Sequence, residues 1–368
     1  MSSPSQKNSR PIYVLKSIIP PIEEFKNHVD DIWQNRQFTN DGPKHWELTD
    51  KLCNFLEVED LVLVGNGTYA LVAALAAFDF EPGEVITTPF TFVATAHCLK
   101  PFNLTPKFVD IEPNDLTIDP KAVEAAITPQ TRAIMAVHVY GNPCYIESLQ
   151  EIADRHNLKI IYDAAHAFGV TYKGKSIFEY GDASCVSFHA TKAFHTFEGG
   201  AVFSQEKSIL DFVRRYKNFG IEEGVFVENG LNTKMSEIHA AIGLVNLAHY
   251  NEHVSKRADI YERYRRELSD IVGLSFVSFE RQDNANYNYC PILFKSGRDA
   301  LFEKFKEAGI FTRKYFYPLL TDMPAYAEYK ENFPVASRVA EEILCLPIYS
   351  DLSEEEQSKI IEVVRSFK

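Results

Sequence analysis

Lys159-Ile160-Ile161-Tyr162-Asp163-Ala164-Ala165-His166-Ala167-Phe168-Gly169 is the stretch that decides the fold class. Lys159–Tyr162 is a short β-branched and aromatic run, and an acid, Asp163, closes it. Working outward toward the N-terminus, Tyr145–His156 has a helical pattern, Ala133–Val139 reads as a strand, and Pro120–Ile127 as a helix with proline at its start. Lys107–Val109 is strand-like, Thr91–Leu99 helical, and Glu84–Thr88 strand-like. Thr68–Phe80 is an Ala/Leu-rich helix stopped near Pro82-Gly83, preceded by the apolar run Leu61–Val64 that ends at Gly65. Toward the C-terminus, Ser184–Phe188 is another short strand. Strands alternating with helices predict parallel βαβ units and an α/β sheet. Ligands of such sheets bind beyond the carboxyl ends of the strands, which is where Asp163 falls.

Beyond this region the pattern changes. Met235–Leu268 is helical over its whole length, with Met235, Ile238, Ile242 and Val245 on one apolar face, and a break is expected near Asn251. The 368 residues suit one large and one small domain. We expect a large domain over 1–250, with residues 1 to about 10 disordered, and a smaller C-terminal domain over 251–368. In the latter, Phe276–Phe294 looks strand-rich, Asp299–Ala308 helical, and Ser353–Ser366 forms a last helix.

A net charge of −13 opposes a broad nucleic-acid face, which needs clustered Lys and Arg, but leaves room for a small anionic ligand. The six cysteines form no CxxC pair, so neither a zinc ribbon nor a disulfide framework is expected. Their spacing fits reduced cytosolic thiols. The polar start MSSPSQKNSRP lacks the apolar core of a signal peptide, and no apolar run is long enough for a membrane span. The expected location is the cytoplasm, away from the membrane.

Two motif matches mislead. Gly65-Asn66-Gly67-Thr68-Tyr69-Ala70 fits the dinucleotide fingerprint, but the acid of the next strand, Glu84, sits at its start, where it cannot hold a ribose. An NAD(P)-dependent oxidoreductase of Rossmann type is therefore an alternative without its second feature. Gly169–Ser176 fits the P-loop pattern, yet Lys173-Gly174-Lys175 looks like a hairpin turn and no long helix follows. What survives of the first match is a glycine-rich turn at a helix start, which suits a phosphate.

Three features then fit one cofactor, pyridoxal 5′-phosphate. Gly67-Thr68 offers a phosphate cradle. Asp163 can pair with a protonated pyridine nitrogen. Lys192, just after the Ser184–Phe188 strand, can form a Schiff base. Each alone has a plainer reading: a solvated lysine, a turn aspartate, a helix cap. Their order along the chain is what joins them. No compact ligand set surrounds His189 or His195, so no metal is expected, and His249 and His253 lack the glutamate of a zinc helix. The aromatics of Arg313–Tyr317 read equally as core packing.

The sequence resembles the DegT/DnrJ/EryC1/StrS family of sugar aminotransferases over nearly its whole length. The likeness runs through Phe38–Pro43, Gly65–Thr68, Thr88–Ala94, His138–Pro143, Tyr162–Gly169, Ser187–Lys192 with Glu198-Gly199-Gly200, Gly230–Glu237, Tyr317-Pro318 and Leu346-Pro347. The resemblance implies the fold-type I architecture: a large domain with a mostly parallel central sheet flanked by helices, and a smaller C-terminal α+β domain. It implies that Lys192 carries the cofactor and moves the proton, Asp163 pairs with the pyridinium, and His166 sits near the phenolic oxygen. Phe92 would stack on the ring; Gly67, Thr68 and Ser187 would hold the phosphate. Asn232 would reach the cofactor of a partner subunit, making the enzyme a homodimer with shared sites. Lys234 and Tyr317 would contact substrate. Relatives with histidine in place of Lys192 are dehydratases, so lysine implies transamination. The stretch His189–Glu198 is most similar to members using dTDP-linked keto-6-deoxy sugars. This implies transfer from glutamate to C4 of dTDP-4-keto-6-deoxyglucose, with C3 amination of a 3-keto sugar as the alternative, in a pathway such as O-antigen synthesis.

Overall fold

Short apolar runs alternate with helices from Val62 to Phe203, and the chain folds as that alternation requires. A computed structural model describes residues 10–367, so the stretch expected to be disordered lies almost wholly outside it. Seven strands form the central sheet: β1 (Val62–Val64), β2 (Gly83–Thr87), β3 (Leu104–Phe108), β4 (Thr131–Val137), β5 (Lys159–Asp163), β6 (Ala183–Ser187) and β7 (Gly200–Phe203). Their spatial order is β1-β7-β6-β5-β4-β2-β3. From β6 to β3 all pairs are parallel, whereas β7 runs antiparallel between β1 and β6. A parallel neighbour needs a crossover, usually helical, and the 188–199 loop between β6 and β7 holds no helix, so the chain turns back beside its predecessor.

The sheet is covered on both faces. Along β4, Ile134 and Ala136 enter one apolar core while Ala133 and Met135 enter the other. That double burial makes its strands continuous apolar runs.

Several elements differ from expectation. The helix expected over Thr91–Leu99 is a single turn, Ala94–His97, followed by a 3-10 turn at Lys100–Phe102 where Pro101 intervenes. The long helix is two, Glu237–Ala248 and Tyr250–Leu268, broken at His249, whose φ of −103° and ψ of 2° leave the helical region. The strand-rich stretch holds only its ends, Leu274–Phe276 and Cys290–Phe294; these pair antiparallel with each other, and Cys290–Phe294 pairs antiparallel with Ile343–Leu346 on its other side. Residues 277–289 between them are irregular, in keeping with the turn-forming Gln282-Asp283-Asn284-Ala285-Asn286. The Lys173-Gly174 turn joins Thr171–Tyr172 to Lys175–Ser176 as a hairpin, with φ of 48° and 74° at its two central residues. Only the 3-10 turn Ile177–Glu179 follows it, not the long α-helix of a P-loop, and the resemblance ends there.

A second core gathers Ile260, Tyr264, Ile292, Phe305, Leu344 and Ile360, and Ile12 joins it. Ile12–Tyr13 pairs in parallel with Ile310–Phe311. The rest of that core lies after the His249 break, and the N-terminal strand crosses back to join it. A third cluster, containing Phe90, Val139, Tyr289 and Leu293, binds the C-terminal strands to the sheet and carries Tyr289 toward its carboxyl edge.

Candidate active site

β5 ends on Asp163, whose backbone pairs with Val137 on β4 and Cys185 on β6. The parallel register thus delivers the carboxylate to the edge where β6 ends at Ser187. Both carboxylate oxygens are engaged: Thr95 Oγ1 donates to Oδ2 at 2.7 Å, and the Ala165 N–H donates to Oδ1 at 3.1 Å. Thr95 in turn shares a 2.9 Å hydrogen bond with Thr91. Burial pushes the Asp163 carboxyl up; Thr95, the Ala165 amide and the Lys192 charge oppose that rise.

The 188–199 loop hangs from β6 and β7. The Phe188 amide donates to Gly199 at 2.8 Å, the Thr196 amide to Phe188 at 2.9 Å, and the Lys192 amide to His189 at 2.9 Å. This tight turn aims Lys192 back over the sheet edge, where its Nζ meets the Tyr289 phenol at 3.3 Å. Burial lowers the Lys192 ammonium to about 8, with Asp163 opposing the shift. An amine of that kind is free often enough near neutral pH to act as a nucleophile.

Opposite lies the start of the helix Gly67–Ala77. Asn66 caps it by accepting from the Tyr69 amide at 2.9 Å. The Gly67 and Thr68 amides, ahead of that cap, stay free to bind an anion at the positive end of the helix. A Cβ on Gly67 would stand 2.7 Å from Ser187 Cβ, so glycine is what lets this turn close against the serine. His166 follows β5. Its Nδ1 accepts from the Tyr140 amide at 3.0 Å, which places its proton on Nε2. Burial holds its pKa well below the usual range, with the Lys192 charge adding to the effect, so the ring is a neutral donor.

These groups rim one cavity of about 520 Å³, lined by Gly67, Thr68, Phe92, Asp163, His166, Ser187 and Lys192. Phe92 is 61% exposed, an unusual state for a phenylalanine beside a buried acid. Glu198, Tyr289, Tyr315 and Phe316 complete the walls, and sequence reasoning had assigned none of these four to the site. In the sequence, Tyr315 and Phe316 suit core packing; Tyr289 carries no signal beyond its place beside a strand.

Tyr317 lines an adjoining cavity of about 550 Å³ that shares Thr91, Phe92, Tyr315 and Phe316 with the first. Asn232 and Lys234 are in neither wall. Asn232 bridges to Asn218, and Lys234 Nζ donates to Asn218 Oδ1 at 2.8 Å and lies over the Phe219 ring. Of the other histidines singled out in the sequence, His189 lines the first cavity with its Nδ1 2.8 Å from Thr191 Oγ1, His195 Nε2 lies 3.0 Å from the Ile18 carbonyl, His249 pairs with Glu24 at 2.9 Å, and His253 meets Ser350 at 2.8 Å.

A covered parallel sheet with an antiparallel β7 thus carries a buried lysine on the loop before that strand, beside a buried acid and a helix start suited to a phosphate. Comparison with known proteins makes the class specific. Residues 21–365 match the DegT/DnrJ/EryC1/StrS aminotransferase family, and the chain belongs to it. It is 47% identical to the dTDP-4-amino-4,6-dideoxy-D-glucose transaminase of Shigella dysenteriae over 98% of this chain and 100% of that one. The Escherichia coli transaminase of the same name is 44% identical over 97% and 99%. Among solved structures, DesI in the presence of its TDP-sugar product superposes with a TM-score of 0.92 at 32% identity, covering 97% of this chain and 93% of the other. Enzymes of this family depend on pyridoxal 5′-phosphate. The glycine that closes on Ser187, the free helix amides and the cavity between them and Asp163 fit that group. The oxidoreductase alternative is not favoured: the chain falls in an aminotransferase family, and Glu84 accepts from Thr128 at 2.7 Å at the opposite end of the sheet from Asp163.

Proposed function

We propose that this enzyme transfers the amino group of glutamate to C4 of dTDP-4-keto-6-deoxy-D-glucose, yielding dTDP-4-amino-4,6-dideoxy-D-glucose and 2-oxoglutarate. The convergence of Lys192, Asp163 and the Gly67-Thr68 turn on one cavity carries the reading of the chemistry. Near-full-length identity to two transaminases named for that product supports the choice of sugar. Bound pyridoxal phosphate supplies the electron sink and carries the amino group between the two substrates.

Each residue then has a task. The Gly67 and Thr68 amides and the Ser187 hydroxyl hold the phosphate. Asp163 sets a negative charge against a protonated ring nitrogen, and His166 donates its Nε2 proton to a ring oxygen. Phe92 lies along a ring face. Lys192 would hold the cofactor and, with its amine free, would take the proton from the glutamate Cα in one half-reaction and give one to the sugar C4 in the other. We place the sugar nucleotide in the adjoining cavity, where Tyr317 and the cationic Arg313 and Lys314 stand.

The active form is a homodimer. Trp33, Trp46 and Phe226 are 66%, 49% and 74% exposed, an apolar load that a monomer has no reason to show to water. Asn232 and Lys234 serve a cofactor and substrate only when a second copy brings its own across. All six cysteines are free, five of them buried, in keeping with the reducing cytoplasm, and the product suits surface polysaccharide synthesis such as that of O-antigen. Among the described residues no helix is long and apolar enough to cross a membrane.

Borohydride reduction of the holoenzyme should fix the cofactor's mass on the peptide containing Lys192. Lys192→Ala should keep the fold and lose both the label and amino transfer. Undiminished transfer by Lys192→Ala would overturn the reading.

A further inference from the structure

Tyr289 belongs to the C-terminal domain, yet its phenol is the hydrogen-bond partner of Lys192 Nζ, at 3.3 Å. Among the described residues, no other side chain hydrogen-bonds that nitrogen. The Asp163 oxygens are already committed to Thr95 and to the Ala165 amide. A lysine side chain with four rotatable bonds needs a fixed partner if its nitrogen is to stand in one place.

Tyr289 is built to be that partner. Its residue is 4% exposed. Its ring is wedged against His166, with centroids 4.6 Å apart, and between Tyr140 and Tyr315 at 5.8 and 5.7 Å. The loop before it is pinned to the turn after β5: Asn286 Nδ2 donates to the carbonyls of His166 and Phe168 at 2.8 and 3.0 Å. The phenol and His166 are therefore held by one piece of structure.

A phenol is also the right chemical type. It accepts a hydrogen bond through oxygen and donates one through its proton, so it can bind an amine in either protonation state. Burial keeps Tyr289 well above the ordinary phenol range, so it stays neutral through the working pH. A carboxylate in its place would favour only the ammonium.

We propose that Tyr289 is the residue that holds the Lys192 amine in position whenever that amine is free, accepting from it when it is charged and donating to it when it is neutral. This rests on the reading of Lys192 given above. Held in this way, the nitrogen stays beside the cavity through both halves of the reaction instead of sampling other rotamers.

Asp163 reaches the lysine from β5, His166 from the turn that follows, and Tyr289 from beyond the His249 break, while Cys185, His189, Glu198 and Tyr315 line the same cavity. Behind Tyr289 lies the fully buried Arg257 of the helix Tyr250–Leu268, within electrostatic reach of the phenol. None of these except Tyr289 hydrogen-bonds Nζ, so removing one oxygen isolates the contact.

The test is Tyr289→Phe, which keeps the ring and removes the hydroxyl. The apo-protein is mixed with pyridoxal phosphate, and capture is followed by visible absorbance as a function of pH. In the native protein the rate should rise with pH through about 8, because only the free amine attacks. In Tyr289→Phe the rate should fall about 10- to 100-fold and the midpoint should move, while the melting temperature in the apo state stays close to native. Turnover should lose a similar factor in kcat with KM for both substrates nearly unchanged. Tyr289→His, which restores a neutral hydrogen-bonding group on a ring, should recover part of the capture rate. Native capture rate, midpoint and kcat in a folded Tyr289→Phe protein would overturn the proposal. If Tyr289→Phe melts early, the Tyr289→His protein decides: a native-like fold with no recovery over Tyr289→Phe counts against the hydrogen bond. Should Lys192→Ala capture the cofactor as fast as native protein, the reading of Lys192 itself has failed, whatever Tyr289 does.

Discussion

Asp163 must be charged to do its work, and its surroundings push the other way. It is fully buried, which raises its pKa, and two donated hydrogen bonds hold it down. A hydrogen bond to a buried carboxylate contributes about 1.5–3 kcal/mol, or about one to two pH units. Thr95→Val removes one of them at nearly constant volume. The acid limb of the kcat profile should then move up by about one unit, because a protonated Asp163 no longer favours a charged ring nitrogen. Thr95→Ser should restore it, and an unmoved limb would show that Thr95 only packs. Asp163 and Lys192 were legible in the sequence because each stands at or just beyond the end of a strand that its own neighbours define. Thr95 and Tyr289 were not, because their partners lie 68 and 97 residues away. Contacts of that range come from topology, which local pattern does not encode.

At the scale of elements, the turn into the helix Gly67–Ala77 is the most constrained join in the site. Its glycine has an ordinary backbone conformation, so the demand for glycine is steric: a methyl group would press on Ser187 at 2.7 Å. Gly67→Ala should cost about 1–3 kcal/mol of stability and weaken pyridoxal phosphate binding by about tenfold or more, measured by melting and by cofactor titration. Native affinity in that variant would mean the turn does not form the phosphate site. β2, β4, β5 and β6 were readable because their apolar runs are bounded by turns or by helices of clear period. β7 was not: it is four residues long, it opens on Gly200, and Gly199 precedes it. The helices Ile22–Asn35 and Pro43–Leu56 also went unread. The first buries only Ile32 and leaves Ile22 and Trp33 in the open, so its apolar residues do not trace one covered face. The long helical stretch ends at Leu268 as expected and breaks two residues before the expected Asn251, at His249, where the chain leaves the first core for the second.

At the scale of the whole molecule, two cores meet along the carboxyl edge of the sheet, and the site forms where they meet. The sheet domain supplies Lys192, Asp163, His166 and the phosphate turn; the C-terminal domain supplies Tyr289, Tyr315 and Phe316. The architecture was legible through the family resemblance more than through periodicity, which placed the parallel strands but neither β7 nor the docking of Ile12 on the far domain. The central claim is amino transfer to C4 of a dTDP-linked keto sugar through Lys192. Incubating the holoenzyme with 15N-glutamate and dTDP-4-keto-6-deoxy-D-glucose, and reading the product by NMR, tests it most directly. The account predicts one labelled nitrogen on C4 of a 4,6-dideoxy-D-glucose ring, with an equal yield of 2-oxoglutarate and none from Lys192→Ala. A 4-keto sugar left unchanged by holoenzyme, with no labelled nitrogen on C4, would contradict it.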